Sequence, residues 1–254
     1  MGAGHVGGLY HDADGPLHRL PAHVKTAALL AFVVAVVATP REAFWAFGAH
    51  AILLVGLWAI GRIPPGFVGK RMLIETPFLL FAIALPFVAR GPRVEVLGMA
   101  LSSDGLWAAW NILAKATLGL GATLTLAATT PLPSIIRGLE RLRVPRVITS
   151  VAAFMIRYLD LLADELHRMK IARLSRGYDP RWLWQARAIA ATAGTLFIRA
   201  FERGERVYLA MVSRGYAGSM PSLDSGGAGA GEWTRGLAVP VLAASVASGA
   251  WLLR

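Results

Sequence analysis

The sequence predicts an all-α fold: a polytopic membrane protein of about five transmembrane helices, with long amphipathic helices on its cytoplasmic side. Three observations carry this. Hydrophobic residues make up 56% of the 254 and charged residues only 16%, whereas a soluble globular domain carries about a quarter charged. The apolar residues gather into five long runs. The basic residues, which bring the net charge to +11, fall almost entirely outside those runs. A basic soluble protein would point to nucleic acid. Charge segregated from apolar runs orients a chain in a bilayer instead, so no nucleic-acid partner is expected. The absence of cysteine excludes disulfides, thiolate catalysis and thiolate metal sites.

Residues 1–23 read as a cytoplasmic tail. It lacks the basic start of a signal peptide, and Val6 does not fit a myristoylation signal. The apolar runs are Val24–Thr39, Phe44–Ile60, Met72–Ala89, Leu106–Thr130 and Leu237–Leu253. A helix needs about 20 residues to cross the bilayer, and about 17 at the lower range. The first run is marginal and recruits flanking residues; the fourth is long enough to tilt. All are expected to be helices, because backbone groups in lipid must be satisfied within the segment. With the N-terminus inside, 21 basic residues lie on the cytoplasmic side, fifteen of them in Pro131–Tyr216. Four lie outside: Arg41, Arg90, Arg93 and Arg254. That asymmetry sets the orientation, with the C-terminus outside. Residues 24–130 thus hold four spans, 131–216 a cytoplasmic segment, 217–236 a flexible Gly/Ser/Ala-rich linker and 237–254 the last span.

The cytoplasmic segment has its own pattern. Pro131 and Pro133 stop the fourth span, and Ser134–Leu142 suits a short helix. Pro145 opens a long helix to Arg176, with Gly177 suited to its C-terminal cap. Asp179 and Pro180 read as N-cap and first turn of a second long helix ending at Arg214, with Gly215 behind it. Each would be about 50 Å long at 1.5 Å per residue. Both are amphipathic: Val151, Met155, Tyr158, Leu162, Leu166 and Met169 recur at steps of three and four, as do Phe197, Ala200, Gly204, Val207 and Met211. Asp164–Arg168 and Glu202–Arg206 are i,i+4 pairs that support the polar faces.

The strongest signal is an internal repeat. Ser175-Arg176-Gly177-Tyr178 recurs as Ser213-Arg214-Gly215-Tyr216, each copy closing a long amphipathic helix. A C-terminal arginine favours the negative end of the helix dipole, and glycine permits a left-handed cap. Capping alone does not account for the same tetrapeptide twice, with serine before and tyrosine after. Two equivalent arginine tips suit a partner with two equivalent receptors, such as a symmetric dimer.

These residues resemble the T components of energy-coupling-factor (ECF) transporters. Those proteins carry two short signatures, usually Ala-Arg-Gly, at the ends of two long cytoplasmic coupling helices; here both read Ser-Arg-Gly. The wider pattern is similar to the cobalt-type (CbiQ) members: Pro16-Leu17-His18-Arg19-Leu20, Val24-Lys25, Leu142-Arg143-Val144-Pro145-Arg146, Arg157-Tyr158, and Arg203-Gly204-Glu205-Arg206-Val207-Tyr208 with Ala210-Met211. The resemblance implies that Ser175, Arg176, Gly177 and Ser213, Arg214, Gly215 dock onto two ATP-binding cassette ATPase subunits. It also implies that the coupling helices cradle a substrate-capture membrane subunit, in the cell (inner) membrane. The chain would then be no enzyme and need no cofactor.

Other signals are weaker. Gly66-Phe67-Val68-Gly69-Lys70-Arg71 fails the phosphate-loop pattern in spacing and in lacking Ser or Thr, so energy must come from a partner or a gradient. His5, His11 and His18, with Asp12 and Asp14, could hold a divalent metal, but a solvated tail is the expectation and no metal site is assigned. Glu75 and Lys115 are charges within spans, and such charges are functional candidates. Glu75, one turn from Arg71, reads as interfacial. Lys115 lies deeper and could snorkel, pair with Glu75, or face a partner. Gly119, Gly121, Ala122, Ala127 and Ala128 read as close-packing positions. A membrane prenyltransferase would need clustered carboxylates for magnesium; Asp160 and Asp164 are flanked by Arg157 and Arg168 and read as a paired helical face. A secondary transporter would show repeated, interrupted spans, whereas this repeat lies in the cytoplasmic segment.

Overall fold

The structure, a computed structural model, describes residues 10, 11, 13, 15–96, 99–178, 186–218 and 227–253. In chain order the helices are α1 (Pro16–Arg19), α2 (Ala22–Ala38), α3 (Phe44–Ile60), α4 (Pro65–Met72), α5 (Thr76–Val88), α6 (Ser103–Thr129), α7 (Leu132–Arg141), α8 (Arg146–Ser175), α9 (Ala186–Val212) and α10 (Ala230–Leu252). Strands β1 (Arg93–Val96) and β2 (Met99–Ser102) pair antiparallel between α5 and α6, with Arg93 opposite Ser102. Among the described residues the fold is all-α apart from this strand pair, which the apolar pattern did not foretell. Its only trace in the sequence is four residues of alternation, Arg93-Val94-Glu95-Val96.

Two compact units are present, one formed by Leu9–Leu142 with Gly227–Arg254, the other containing Arg143–Gly226. The first is an apolar helix bundle. Pro65–Val88, Ser103–Thr129 and Ala230–Leu252 are long and apolar enough to cross a membrane, and Ala22–Ala38 and Phe44–Ile60 are shorter apolar helices. The expected run Met72–Ala89 starts earlier, at Pro65, and is broken by a 3-10 turn at Leu73–Glu75 that joins α4 to α5. The exposed faces of α5 carry Phe78, Leu80, Phe81 and Phe87, an apolar surface of the kind that lipid or an apolar partner covers.

Helix α2 lies centrally, against α6, α7 and α10. Phe32 and Val36 of α2 meet Phe47 and Leu54 of α3, Leu118 and Ala122 of α6 and Ala243 of α10 in one buried cluster. Small residues let the backbones approach. A Cβ on Gly121 would stand 2.6 Å from Leu54 Cδ2; one on Gly138 of α7, 2.9 Å from the His23 amide; and one on Gly105, 2.7 Å from Leu85 O and 2.8 Å from Pro86 Cα. Ala122 and Ala128 are buried as expected. Gly119 has open space around it and is not a close-packing position.

The charged residues within the bundle are used to close helix ends. The last four carbonyls of a helix have no partner within it, and those of α2 are all satisfied from outside its own ladder. Thr39 Oγ1 donates to Ala35 O (2.9 Å) and the Thr39 amide to Val36 O (3.2 Å). Lys115 Nζ donates to Val37 O at 2.7 Å, and Trp251 Nε1 to Ala38 O at 2.8 Å. In return Lys25 of α2 donates to Thr129 O, at the C-terminus of α6, at 2.8 Å. Lys115 is therefore paired with a helix end and not with Glu75. Glu75 accepts a 2.7 Å hydrogen bond from Thr117 Oγ1, midway along α6, which places it against that helix.

At the end where α2 finishes and α6 begins, Phe44, Phe47, Trp107 and Trp110 form a ring cluster with centroids 5.0–5.9 Å apart. The Arg41 guanidinium lies 6.0 Å from the Trp107 ring. Amphipathic rings beside a cation are the usual furniture of a membrane–water interface. At the opposite end Trp58 Nε1 donates to Thr125 Oγ1 (2.8 Å), tying α3 to α6.

The glycine contacts yield a paired prediction. Gly105→Ala forces a Cβ into α5 backbone that cannot swing aside, and should destabilise the bundle by about 1–3 kcal/mol. Gly119→Ala should be neutral or stabilising by up to about 1 kcal/mol, as expected for Gly to Ala in a helix interior. Thermal unfolding in detergent, followed by circular dichroism, checks both; equal effects would show that the α5–α6 approach is not tight at Gly105.

Candidate functional site on the two arginine-capped helices

The second unit is built on α8, 30 residues long, and α9, 27 residues long. They run antiparallel. Arg173 reaches Thr192, Glu165 meets Arg199, and Phe154, Tyr158 and Leu162 face Ala200, Val207 and Met211 across an apolar groove. On α8 a less exposed stripe runs through Phe154, Tyr158, Leu162, Glu165, Met169 and Arg173; Ala152, Ile156 and Asp160 are also only partly exposed. This corrects the stripe expected from spacing. Tyr158, Leu162 and Met169 belong to it, but Val151, Met155 and Leu166 are exposed, Met155 at 67%. On α9, Ala200, Val207 and Met211 face the groove, whereas Phe197 is 71% exposed. The apolar surface is thus wider than one seam, and the two helices cover only part of it.

Glu165 is the polar centre of the pair, its side chain 13% exposed. It takes Arg168 at 2.8 Å on its own helix and Arg199 from α9. Arg168 therefore pairs with Glu165, one residue away from the expected Asp164. The signal lay in the register: Glu165 is the only carboxylate on the stripe that faces α9, and an acid there needs a cation. The hydrogen bond from Arg168, and then that from Arg199, holds the Glu165 carboxyl below its ordinary value of 4.5.

The repeated tetrapeptides form the same structure twice. Ser175 Oγ donates to Ala172 O and Ser213 Oγ to Ala210 O, each at 3.0 Å. The Gly177 amide donates to Leu174 O (2.9 Å) and the Gly215 amide to Val212 O (3.0 Å). The Tyr178 amide reaches back to Arg173 O (3.3 Å) and the Tyr216 amide to Met211 O (3.0 Å). Both glycines are left-handed, at φ +75° and +84°. These are two Schellman caps, and the glycine is required because a Cβ disfavours that backbone. Arg176 and Arg214 sit at the equivalent cap position. Both are exposed, and among the described residues neither guanidinium has a hydrogen-bond or ion-pair partner.

Antiparallel packing has a consequence that spacing along the chain does not reveal: the two tips lie at opposite ends of the pair. Arg173 beside Thr192 and Tyr158 beside Val207 set a register in which Arg214 lies abreast of residue 151. Arg176 is 25 residues further along α8, about 37 Å at 1.5 Å per residue. Two like helices, antiparallel and capped alike, have an approximate two-fold relation between their tips. The expected N-cap at Asp179 and Pro180 lies outside the described residues. Of the histidine-rich tail, His5, Asp12 and Asp14 also lie outside them. His18 Nε2 contacts His11 O at 3.1 Å, and no group of three metal-ligating side chains occurs among the described residues.

With this geometry in place the comparisons with known proteins are decisive. The sequence profile of the CbiQ cobalt transport proteins matches residues 14–223. The chain belongs to the CbiQ family. Among curated relatives, the cobalt transport protein CbiQ of Rhodobacter capsulatus is 27% identical over 94% of this chain and 96% of its own length. The ECF transporter transmembrane protein EcfT of Bacillus selenitireducens is 28% identical over 83% of each chain. A fused CbiMQ protein of Methanocorpusculum labreanum is 24% identical; the match covers 81% of this chain but 35% of that longer protein. The relatives are transporter components, and this CbiQ-family chain is a helical membrane protein of that kind. The matched region takes in both capped helices.

The Glu165 link generates a pH prediction. Because its folded-state value is lowered, the link contributes fully above pH 4.5 and is lost as pH falls below that value. Amide exchange in α9 around Arg199, corrected for intrinsic rates, should be flat above that pH and rise below it. Glu165→Gln should show the raised rate already at neutral pH and lose the dependence. Identical profiles for the two proteins would mean that Glu165 does not join the helices.

Proposed function

We propose that this chain is the transmembrane coupling (T) component of an ECF-type importer of the cobalt type. It carries out no chemistry. It passes the conformational change of two ATP-binding cassette ATPases to a substrate-capture membrane subunit. The observation that carries this reading is the pair of identical Ser-Arg-Gly-Tyr caps at opposite ends of an antiparallel helix pair, each presenting an exposed arginine that has no partner among the described residues. A pseudo-two-fold pair of tips suits a two-fold pair of receptors. A rigid guanidinium fork, with five donors, suits acidic or carbonyl acceptors in a groove. The uncovered apolar faces of α8 and α9, including Met155 and Phe197, offer the substrate-capture subunit an apolar seat. Membership of the CbiQ family favours cobalt as the cargo; nickel or a vitamin is the alternative within the same mechanism. A secondary transporter or a membrane enzyme would leave the twin caps without a role.

The chain is read as multi-pass in the cell (inner) membrane with five spans, α2, α3, α4–α5, α6 and α10, the N-terminus and the capped helices cytoplasmic and the C-terminus outside. Lys25 in the first turn of α2, with Arg19, Arg62, Lys70, Arg71 and Arg235 beside the spans, supports this orientation through the positive-inside rule. Reporter fusions at Ser222 and after Arg254 should therefore give opposite signals, and matching signals would remove the five-span reading.

The docking role is tested on the tips. Loss of one partner of a buried, hydrogen-bonded charge pair costs about 2–5 kcal/mol, so Arg176→Glu or Arg214→Glu should weaken ATPase association by roughly 30-fold or more. The other arm partly masks a single change through avidity. The double change should abolish ATPase copurification and substrate uptake while membrane insertion survives. If the arginines served only as helix caps, each change would cost a few tenths to about 1 kcal/mol of helix stability and association would persist. Near-normal uptake in the double variant would refute the docking role.

A further inference from the structure

The bundle unit has a recess of its own, at the end where α6 finishes and α10 starts. Its inner part is an apolar cavity between α2, α3, α6 and α10, walled by Leu29, Leu57, Ala122 and Leu126. Its outer part, ≈ 680 Å³, opens between α3 and α10 beside the exposed Ile60 and Ala238. Leu17, Leu20, Leu57, Arg235 and Val239 line both parts, so the two adjoin.

Three cations line it. Arg19 and Arg235 stand at the mouth and are exposed, and among the described residues neither has a hydrogen-bond or ion-pair partner. Lys25 lies at the inner wall, 9% exposed, with Thr129 O as its one acceptor. An ammonium has three donors. One acid, Glu232, also lines the mouth; its carboxylate accepts from the Gly229 amide at 2.9 Å and keeps its charge, so the two arginines outnumber it. The recess therefore combines net positive charge at its entrance with apolar walls inside, and opens sideways between two apolar helices.

We propose that this recess holds one anionic phospholipid of the adjoining leaflet, its phosphate at Arg19 and Arg235 and the start of an acyl chain against Leu57 and Val239. Guanidinium groups favour phosphate through paired, charge-assisted hydrogen bonds. Basic pockets between membrane helices recognise anionic headgroups for this reason. A soluble anion would satisfy the arginines and leave the apolar walls bare. A zwitterionic lipid would fill the walls and bring a second cation to the mouth. Only an anionic lipid answers both halves of the recess. Its lining residues all belong to the bundle unit, and the proposal does not rest on the docking role of the arginine tips.

The test uses the full chain reconstituted in nanodiscs of equal phosphatidylglycerol and phosphatidylcholine with matched acyl chains. The protein is re-extracted and its retained lipid counted by native mass spectrometry. Wild type should retain phosphatidylglycerol in preference. Arg19→Gln with Arg235→Gln should lower that preference by about 10- to 30-fold, and Arg62→Gln with Lys70→Gln, an equal loss of charge, should leave it unchanged. Equal retention of the two lipids by wild type would overturn the proposal. So would an equal loss of preference in both double variants. Competition by inorganic phosphate, measured on wild type by displacement of the retained lipid, should be weak; full displacement would assign the mouth to a soluble anion and also overturn it. The wild-type lipid comparison and the phosphate arm need no variant, so they decide the matter even if the double variant fails to fold.

Discussion

Two lysines, one from each of two antiparallel helices, close each other's open ends, and the bundle is organised around that exchange. Lys25 of α2 takes the terminal carbonyl of α6, and Lys115 of α6 takes a terminal carbonyl of α2. In an apolar medium an unsatisfied carbonyl and an unpaired ammonium are each costly. Joining them removes both costs, and places the positive charge at the negative end of the partner's dipole. Thr39 and Trp251 complete the end of α2, the latter from α10. A helix of only 17 residues can then sit at the centre, because its end is finished by its neighbours. Glu75 answers the same constraint differently, through Thr117 on α6.

The capped pair follows another logic. Its helices meet through a seam that is partly polar: Glu165 with Arg199, and Arg173 with Thr192. Polar contacts at defined heights fix register, where a uniform apolar seam would let the helices slide. Register matters here because it sets the spacing between the two arginine tips. The Schellman caps then aim the tips: the left-handed glycine turns the chain sharply away, so the arginine stands at the end of the helix and not along its side. Within this CbiQ-family chain the serine of each tetrapeptide also has a local task, closing a carbonyl three residues back.

Much of this was legible in the residues. Five apolar runs marked the bundle helices to within a few residues at most ends, since burial in lipid needs a long run whatever the neighbours are. The glycines of the repeat announced two left-handed caps, because few other residues accept that backbone. The hairpin was not legible, since two strands of four residues are too short to separate from a loop by pattern. Nor was the break at Leu73–Glu75, where Pro65 and Pro77 both suit the first turn of a helix and the apolar run passes over the joint.

By itself, then, the sequence determined that the chain is an apolar helix bundle carrying two long amphipathic helices with twin arginine caps. Local propensity and hydropathy act over a few residues, and suffice for that. Only the tertiary structure decided what the charges do. Whether Lys115 pairs with Glu75 or with the end of α2, whether Glu165 finds a cation on the facing helix, and whether Arg176 and Arg214 lie at the same end or at opposite ends all depend on which residues, distant along the chain, are brought together. Spacing along the chain leaves each of these choices open; antiparallel packing of α2 with α6, and of α8 with α9, closes them.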